Sequence, residues 1–275
     1  MNKLYNRFLW ILIFSLFPLC AALAGGEAPG PWEKVGVRAG GFYAGLSSEA
    51  RIGLTQGTGV IINLEDTLGL DASMFVFRGD VDYRFSRNLR HRLDLSYAGY
   101  FRSATRTLQE DIEIGDDIIA TGTIVETTFN FQIIKLLYSW SFIQDARVDL
   151  AFGGGFYIAP IYLKFKSATS EQKAEVVTVP LPVLDVRADV LVAPKLYLRE
   201  RIDIFYLAGG NFSGGILDMA LGLEYRIWKR FGAGVEFESF RFGVQSKGNG
   251  SSIMPEDGKI SLEYTGLLFY AKFYY

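Results

Sequence analysis

Apolar and polar residues alternate along most of this chain with a period of two. In the stretch 75–85, Phe, Val and Tyr hold nearly all the odd positions, and Arg and Asp hold most of the even ones. The stretch 92–102 repeats this pattern. Successive side chains of a β-strand point to opposite faces, so the pattern predicts strands with one apolar and one charged face.

Ten such strands are predicted. They cover about 35–48, 74–86, 90–107, 121–143, 147–165, 174–193, 195–207, 215–228, 231–246 and 258–275. Short turns are predicted at 87–89, 144–146, 193–195 and 229–230, and longer connections at 49–73, 108–120, 166–173, 208–214 and 247–257. Within the first long connection, residues 59–64 leave two alternatives open. They form either an extra hairpin, which makes twelve strands, or a segment folded inward as a partial plug.

Strand length indicates a membrane rather than water around the sheet. Stretches 90–108, 147–165 and 258–275 exceed the usual strand of a soluble protein and suit a tilted strand that crosses a bilayer. After Ala24 no run of 18 apolar residues predicts a spanning helix. Lipid cannot pair free backbone groups, so a sheet within it must close on itself. The predicted fold is all-β, a closed antiparallel transmembrane β-barrel with its apolar face outward.

The first 24 residues differ from the rest. A basic start with Lys3 and Arg7 precedes an apolar run over 8–19, and Ala22 and Ala24 take the small-residue positions of a cleavage site. These three parts predict a cleaved secretory signal peptide over 1–24. Cys20, the one cysteine, would leave with it. Residues 25–34 are then expected to form a short periplasmic leader, and residues 35–275 the barrel.

The end of the chain carries a further signal. Alternation continues to a terminal aromatic residue, through Leu267, Phe269, Ala271, Phe273 and Tyr275. In this ending and in its architecture the chain resembles the outer-membrane β-barrel superfamily of Gram-negative bacteria. The resemblance implies location in the outer membrane, contact with outer-membrane lipid and lipopolysaccharide, and recognition of Leu267 to Tyr275 by the barrel-insertion machinery. Aromatic residues near strand ends are expected in the two interfacial girdles: Trp140, Phe142, Tyr162, Tyr206, Trp228 and Tyr264.

Charged residues of both signs take the inward register. They are Arg78, Asp80, Asp82, Arg84, Asp94, Arg102, Asp149, Asp185, Arg187, Asp189, Arg199, Arg201, Asp203, Asp218, Glu224, Arg226, Glu236, Glu238 and Glu263. A narrow barrel has little spare interior. Two interpretations stay open: the charges pair and fill the lumen, or they line a selective, water-filled path.

Composition excludes several functions. The formal net charge is −2, which gives no electrostatic footprint for nucleic acid. Barrel enzymes of this size mostly use a histidine near the outer rim, whereas the single histidine here, His91, lies beside a predicted periplasmic turn. Without a second histidine or a mature cysteine, nucleophilic sites lack support. We therefore predict no catalytic residue and no cofactor, with a carboxylate-dependent surface enzyme as an alternative.

An acidic loop is the candidate for a metal site. Asp111, Glu113, Asp116 and Asp117 could bind a divalent ion through oxygen ligands, or simply form a solvated loop. The sequence predicts a barrel without evident catalysis, with a structural or surface-interaction role or a narrow channel for small solutes. Alternatives are an enzyme acting on lipid A or peptides, and an adhesin or lipopolysaccharide-binding protein. The solute and the oligomeric state do not follow from the residues.

Overall fold

A computed structural model describes residues 32–51, 62–114, 117–167, 171–176, 180–246 and 259–275. Its strands are β1 Val35–Arg51, β2 Ile62–Asn63, β3 Ser73–Arg84, β4 His91–Thr107, β5 Ile112–Ile114, β6 Asp117–Ile119, β7 Ile124–Gln144, β8 Val148–Ile158, β9 Ile161–Lys166, β10 Glu171–Val176, β11 Leu181–Ala193, β12 Leu196–Gly209, β13 Phe212–Trp228, β14 Phe231–Ser246 and β15 Lys259–Tyr274. Within these ranges, no helix is long and apolar enough to cross a membrane.

Ten strands form a closed antiparallel ring. Its order is β1, β3, β4, β7, β8, β11, β12, β13, β14 and β15, and β15 returns to β1. The closing pair runs from Gly36 opposite Tyr274 to Arg51 opposite Lys259. Every strand of the ring thus has two hydrogen-bonded neighbours, as a sheet within lipid requires, while β9 and β10 extend the wall from β7 at the outer end. The predicted ten-stranded closed barrel is confirmed.

The two faces of the wall differ as the alternation predicts. Phe75, Phe77 and Leu184 point outward and keep more than 65% of their surface exposed. On the inner face, Arg78 and Arg84 keep only 2% and 1%. An apolar outer surface around a polar interior inverts the arrangement of a soluble sandwich, and it suits a barrel surrounded by lipid.

Two predicted strands are divided. The stretch 174–193 becomes β10, which pairs with β9, and β11, which pairs with β8 and β12. The stretch 147–165 becomes β8 and β9, which both pair with β7 but are separated at Ala159 and Pro160. Proline has no backbone N–H and interrupts a ladder of hydrogen bonds. Its carbonyl still accepts a hydrogen bond from the backbone N–H of Gln132, at 3.1 Å. The interruption therefore divides the strand, while β8 keeps its pairings with β7 and β11 and the ring stays closed.

The connections differ from the prediction at two places. The long connection expected at 208–214 is a tight turn, because β12 and β13 continue to Gly209 and from Phe212. Gly210 has a φ of 57°, a left-handed conformation that glycine adopts without steric cost. The connection expected at 108–120 contains a separate hairpin formed by β5 and β6. The four predicted short turns all lie at the opposite end, which we call the periplasmic end because bacterial barrels keep tight turns and both chain ends there.

The first long connection folds inward. Strand β2 pairs two residues with β1, and the following segment 64–72 turns back across the outer mouth of the barrel. Residues 52–61 lie outside the described residues. Of the two alternatives, the described part matches the inward plug, since β2 pairs only with β1 and does not enlarge the ring.

Two of the face assignments are wrong. Tyr264 was expected in the outer girdle but points inward and is 2% exposed, because it shares its face with Leu262 and Leu268. Its neighbour Glu263 consequently faces outward and is exposed, so it does not belong to the lumen. Trp140, Phe142, Tyr206 and Trp228 are exposed on the outer wall, as girdle residues are. The predicted signal peptide, 1–24, lies outside the described residues.

Candidate functional site

Of the nineteen charged residues predicted to take the inward register, all but Arg102 and Glu263 share the periplasmic two thirds of the inner face. They are Arg78, Asp80, Asp82, Arg84, Asp94, Asp185, Arg187, Asp189, Arg199, Arg201, Asp203, Glu224, Arg226, Glu236 and Glu238, with Asp149 and Asp218 beside them. Arg102 lies nearer the outer mouth, where it bonds the plug. Opposite charges approach one another throughout, so the interior is a network of ion pairs.

Glu238 is the hub at the middle of this network. Its carboxylate is fully buried and accepts hydrogen bonds from Arg78, from the Lys135 ammonium at 3.1 Å and from the Tyr264 hydroxyl at 3.0 Å. These donors come from β3, β7 and β15, so one carboxylate cross-links strands around the ring. These donors compensate the buried negative charge of Glu238. Glu238 in turn compensates the buried positive charges of Arg78 and Lys135.

Three aspartates form a row on adjacent strands. Asp185 lies opposite Asp203, and Asp203 lies opposite Asp218, across β11, β12 and β13. Like charges at this spacing repel, but the Tyr157 hydroxyl donates to both Asp203 and Asp218. The Arg201 guanidinium adds contacts of 3.2 and 3.7 Å to the same two carboxylates. The carboxylates of this row are groups that can act as acid and base, but they are buried on the inner face of the barrel.

Trp32 and Glu33 close the periplasmic end. The Trp32 indole donates to the Asp145 carbonyl at 2.8 Å and packs edge-on against Tyr197. The Glu33 carboxylate lies 2.6 Å from Lys272 and 3.4 Å from Arg199. Part of the predicted periplasmic leader is therefore built into the barrel floor.

The cations around Glu33 keep its carboxyl group ionised. Burial alone would raise the pKa of this carboxyl, but Lys272 and Arg199 outweigh burial and hold the pKa well below its usual range. A depressed pKa contributes stability above the unfolded-state pKa, about 4.3, and the contribution disappears as the pH falls through the folded-state value. Glu33 thus stabilises the closed floor at neutral pH.

Replacing Glu33 by glutamine tests this floor. We expect the variant to lose about 2 kcal/mol of unfolding free energy at pH 7, because charge-assisted hydrogen bonds become neutral ones. The difference from wild type should persist at pH 5 and shrink progressively below about pH 4, where the carboxyl of the unfolded chain takes up a proton while that of the folded protein is still ionised. Urea unfolding in detergent micelles at several pH values measures it. A difference that is constant down to pH 2 would contradict the assignment.

An aromatic layer separates the charges from the outer mouth. Tyr100 stacks on Phe131 with ring centroids 4.3 Å apart, and Tyr264 stacks on Phe240 at 4.8 Å. Tyr100 and Tyr264 join these pairs at 5.2 Å. Because these residues come from β4, β7, β14 and β15, the layer extends across the lumen.

The plug lies above this layer. Its Leu64, Leu68 and Leu70 are buried in the same apolar cluster as the aromatic residues. Glu65 fixes it through a 2.5 Å ion pair with Arg102, whose guanidinium also donates to the Ser48 hydroxyl at 2.6 Å. Apolar contacts and one buried ion pair thus hold segment 62–72 across the mouth.

Little space remains inside. The cavity among the lumen charges measures about 60 Å³ and is lined by Arg38, Asp94, Arg187, Arg201 and Glu236, among others. Such a volume holds a few water molecules. Several buried atoms, including Arg187 Nη1 and Glu236 Oε1, have no protein partner, so water there would complete their hydrogen bonds.

The other predicted sites are not assembled in the described residues. Asp111 is exposed, and its carboxylate accepts a hydrogen bond from the Thr121 backbone N–H at 2.7 Å. Asp116 lies outside the described residues, as do the side chains of Glu113 and Asp117, so the divalent-ion loop stays a prediction. Elsewhere in the described part, no three His, Cys, Asp or Glu residues are arranged to hold a metal. His91 lies near the periplasmic turn, with Nδ1 2.7 Å from the Tyr138 hydroxyl.

Sequence reasoning missed several members of the network. Arg38, Lys135 and Lys272 point inward, as do Tyr157 and Tyr270. Around Lys135 the inner face is otherwise apolar and the outer face carries Asn130 and Gln132, so the usual contrast between the faces is lost there. Its register with the buried Ser139 and Ser141, four and six residues after it, is the weaker signal that would have placed it inside.

Known structures supply the comparison. No protein-family model and no curated protein sequence matches the chain. The outer-membrane protease OmpT of Escherichia coli has a similar structure, with a TM-score of 0.53 and 9% identity, over 92% of this chain and 99% of that one. The fold is that of an outer-membrane β-barrel.

More distant similarities belong to the same class of protein. OprG from Pseudomonas aeruginosa gives a TM-score of 0.38 at 10% identity, over 90% of this chain and 100% of that one. Ail of Yersinia pestis gives 0.33 at 12%, over 87% and 99%. The fold and the apolar outer wall place this barrel in a Gram-negative outer membrane. Identities this low show the fold alone, so function must be argued from the residues.

Proposed function

We propose that the protein is a non-conducting outer-membrane barrel with a structural or surface-interaction role. The observation that supports this is the occupied interior: Trp32 and Glu33 at the floor, ion pairs above them, an aromatic layer, and then the plug. A channel for small solutes requires a continuous water-filled path, whereas the cavity among the lumen charges of the described residues measures about 60 Å³.

The proposal includes no catalysis. His91 contacts Tyr138 on the outer wall at the periplasmic end, away from the outer surface where a surface substrate would bind. The aspartate row has carboxylates of the kind that act as acid and base. They face the lumen, where the Arg201 guanidinium pairs with Asp203 and Asp218 and the Tyr157 hydroxyl donates hydrogen bonds to both. Turnover of lipid A or of a peptide by the refolded protein would contradict this part of the proposal.

Planar-bilayer recording tests closure directly. We expect refolded wild-type protein, shown to be folded by heat-modifiable gel mobility, to give no discrete current steps. The physical reason is that an ion would have to displace paired charges and then cross an apolar layer. A matched sample of an open porin inserted under the same conditions controls for insertion. Reproducible, salt-dependent steps from the wild-type protein would overturn the proposal in favour of a narrow channel.

A further inference from the structure

An open groove lies on the outer wall of the barrel near its outer end. It crosses β12 to β15, and Gly215, Gly243 and Ser261 lie opposite one another along its floor. Its volume is about 520 Å³. A Cβ atom added at Gly243 would meet nothing within 4 Å, whereas the space over Gly41, also on the outer wall, is taken by the Phe75 ring. Among the described residues, the groove is therefore space that the barrel's own side chains leave unfilled.

The two sides of the groove differ in chemistry. Ile204, Tyr206 and Leu217 form an apolar side, and Tyr206 is 73% exposed. On the other side, Arg241 lies 3.5 Å from Glu263, and about half of each side chain is exposed. Four residues from Glu263 on the same outward face of β15, Lys259 lies 2.9 Å from Glu49 of β1. Exposed ion pairs contribute little stability, so an anion can recruit these cations at small cost.

The height of the groove places it at the lipid headgroups. Along β14, about ten residues separate Arg241 from Phe231 at the periplasmic end. At roughly 3.3 Å per residue and a tilt of about 40°, this spans some 25 Å of the barrel axis, the height of the apolar band of such barrels. The outward pair Ser239 and Thr265, opposite each other in register, marks the same boundary, since it ends the apolar wall.

We propose that this groove binds a phosphorylated glycolipid of the outer leaflet. An acyl chain lies against Ile204 and Leu217, and a head-group phosphate pairs with Arg241 and Lys259. Arginine and lysine are the usual protein partners of phosphate, and basic pockets at the membrane surface bind lipid head groups. Glu263 then accepts hydrogen bonds from sugar hydroxyls. The site is on the outside of the wall, so it does not depend on whether the lumen is closed.

The test compares one variant in which a larger side chain fills the groove with another that lacks its two cations. Purified protein in detergent micelles is mixed with bis-phosphorylated lipid A, and retained lipid is measured by native mass spectrometry. Gly243→Leu should lower retention at least tenfold, because the new side chain extends into the groove from a position where an added Cβ atom meets nothing within 4 Å. The double variant R241A/K259A should lower it similarly. Lys229→Ala, which removes a cation in a periplasmic turn, is the matched control and should retain the lipid.

Dephosphorylated lipid A separates head-group recognition from apolar adhesion. We expect wild type to retain it as weakly as R241A/K259A retains the phosphorylated form. Equal retention of lipid A by wild type and a folded Gly243→Leu variant would overturn the proposal. So would equal loss in Lys229→Ala, or an effect of Gly243→Leu on oligomer size without one on lipid. Heat-modifiable mobility of each variant shows that it is folded.

Discussion

Replacing Glu238 by alanine is expected to destabilise the barrel by about 3–5 kcal/mol. The substitution leaves Arg78 and Lys135 buried without the carboxylate that both contact, and it removes the acceptor of the Tyr264 hydroxyl. Removing one partner of a buried ion pair is destabilising because the charge that remains cannot be solvated. Urea unfolding in detergent micelles, followed by tryptophan fluorescence, measures the loss.

The matched control is Glu263→Ala. Glu263 also pairs with an arginine on a neighbouring strand, but both partners are about half exposed. Water replaces that contact, so the control should lose less than about 1 kcal/mol. If Glu238→Ala were equally mild, water would have to reach Arg78 and Lys135, and the interior would not be the closed network described above.

Replacing Gly155 by alanine should have the second-largest effect, a loss of about 2–3 kcal/mol. Gly155 lies opposite Leu137, where β8 and β7 approach closely. A Cβ atom added there would lie 2.7 Å from the Leu137 Cα and would clash with the Leu136 carbonyl oxygen. Since the obstacles are backbone atoms, relief requires the two strands to move apart. Urea unfolding and the folded fraction on gels both report this.

Gly79→Ala is the control for Gly155→Ala. It is also a glycine within a strand of the ring, but an added Cβ would contact only the Phe77 ring, at an ordinary 3.7 Å. Its stability should therefore change by less than about 0.5 kcal/mol. Gly153 resembles Gly155, with the Ser139 Cα at 2.6 Å from the added atom, and its alanine variant should behave like that of Gly155. A Gly155→Ala variant as stable as Gly79→Ala would contradict this account.

Alternation predicted the ring wherever the two faces of a strand differ in polarity. In β3, Phe77 is exposed and Arg78 buried, as the pattern requires. In β7 the inner face is otherwise apolar around Lys135, and the outer face carries Asn130 and Gln132, so the local contrast between the faces does not mark Lys135 as inward. The same limit hid the aromatic layer, because an apolar inner face in a membrane barrel looks like an outer one. The misplaced Tyr264 belongs to that layer.

Contacts distant in sequence account for most of what the sequence could not predict. Glu33 reaches Lys272 and Arg199 from a stretch with no alternation, so only the closed ring brings them together. The ion pair that holds the plug joins Arg102 of β4 to Glu65 of the first long connection, so it too depends on how the chain folds. The tight turn at Gly210 had a local signal in Gly209 and Gly210, but the expected loop asymmetry of such barrels outweighed it.

The pairing of β1 with β15 has a consequence for how the protein is made. Val35 donates its backbone N–H to the Tyr275 carbonyl at 2.9 Å. The first strand of the ring can therefore complete its pairing only after β15 has been synthesised. Closing so long a loop is entropically unfavourable and slow. Until then, both edges of the sheet stay unpaired and prone to aggregation. Closure of the ring must therefore follow synthesis of β15, and the unpaired edges need protection until then.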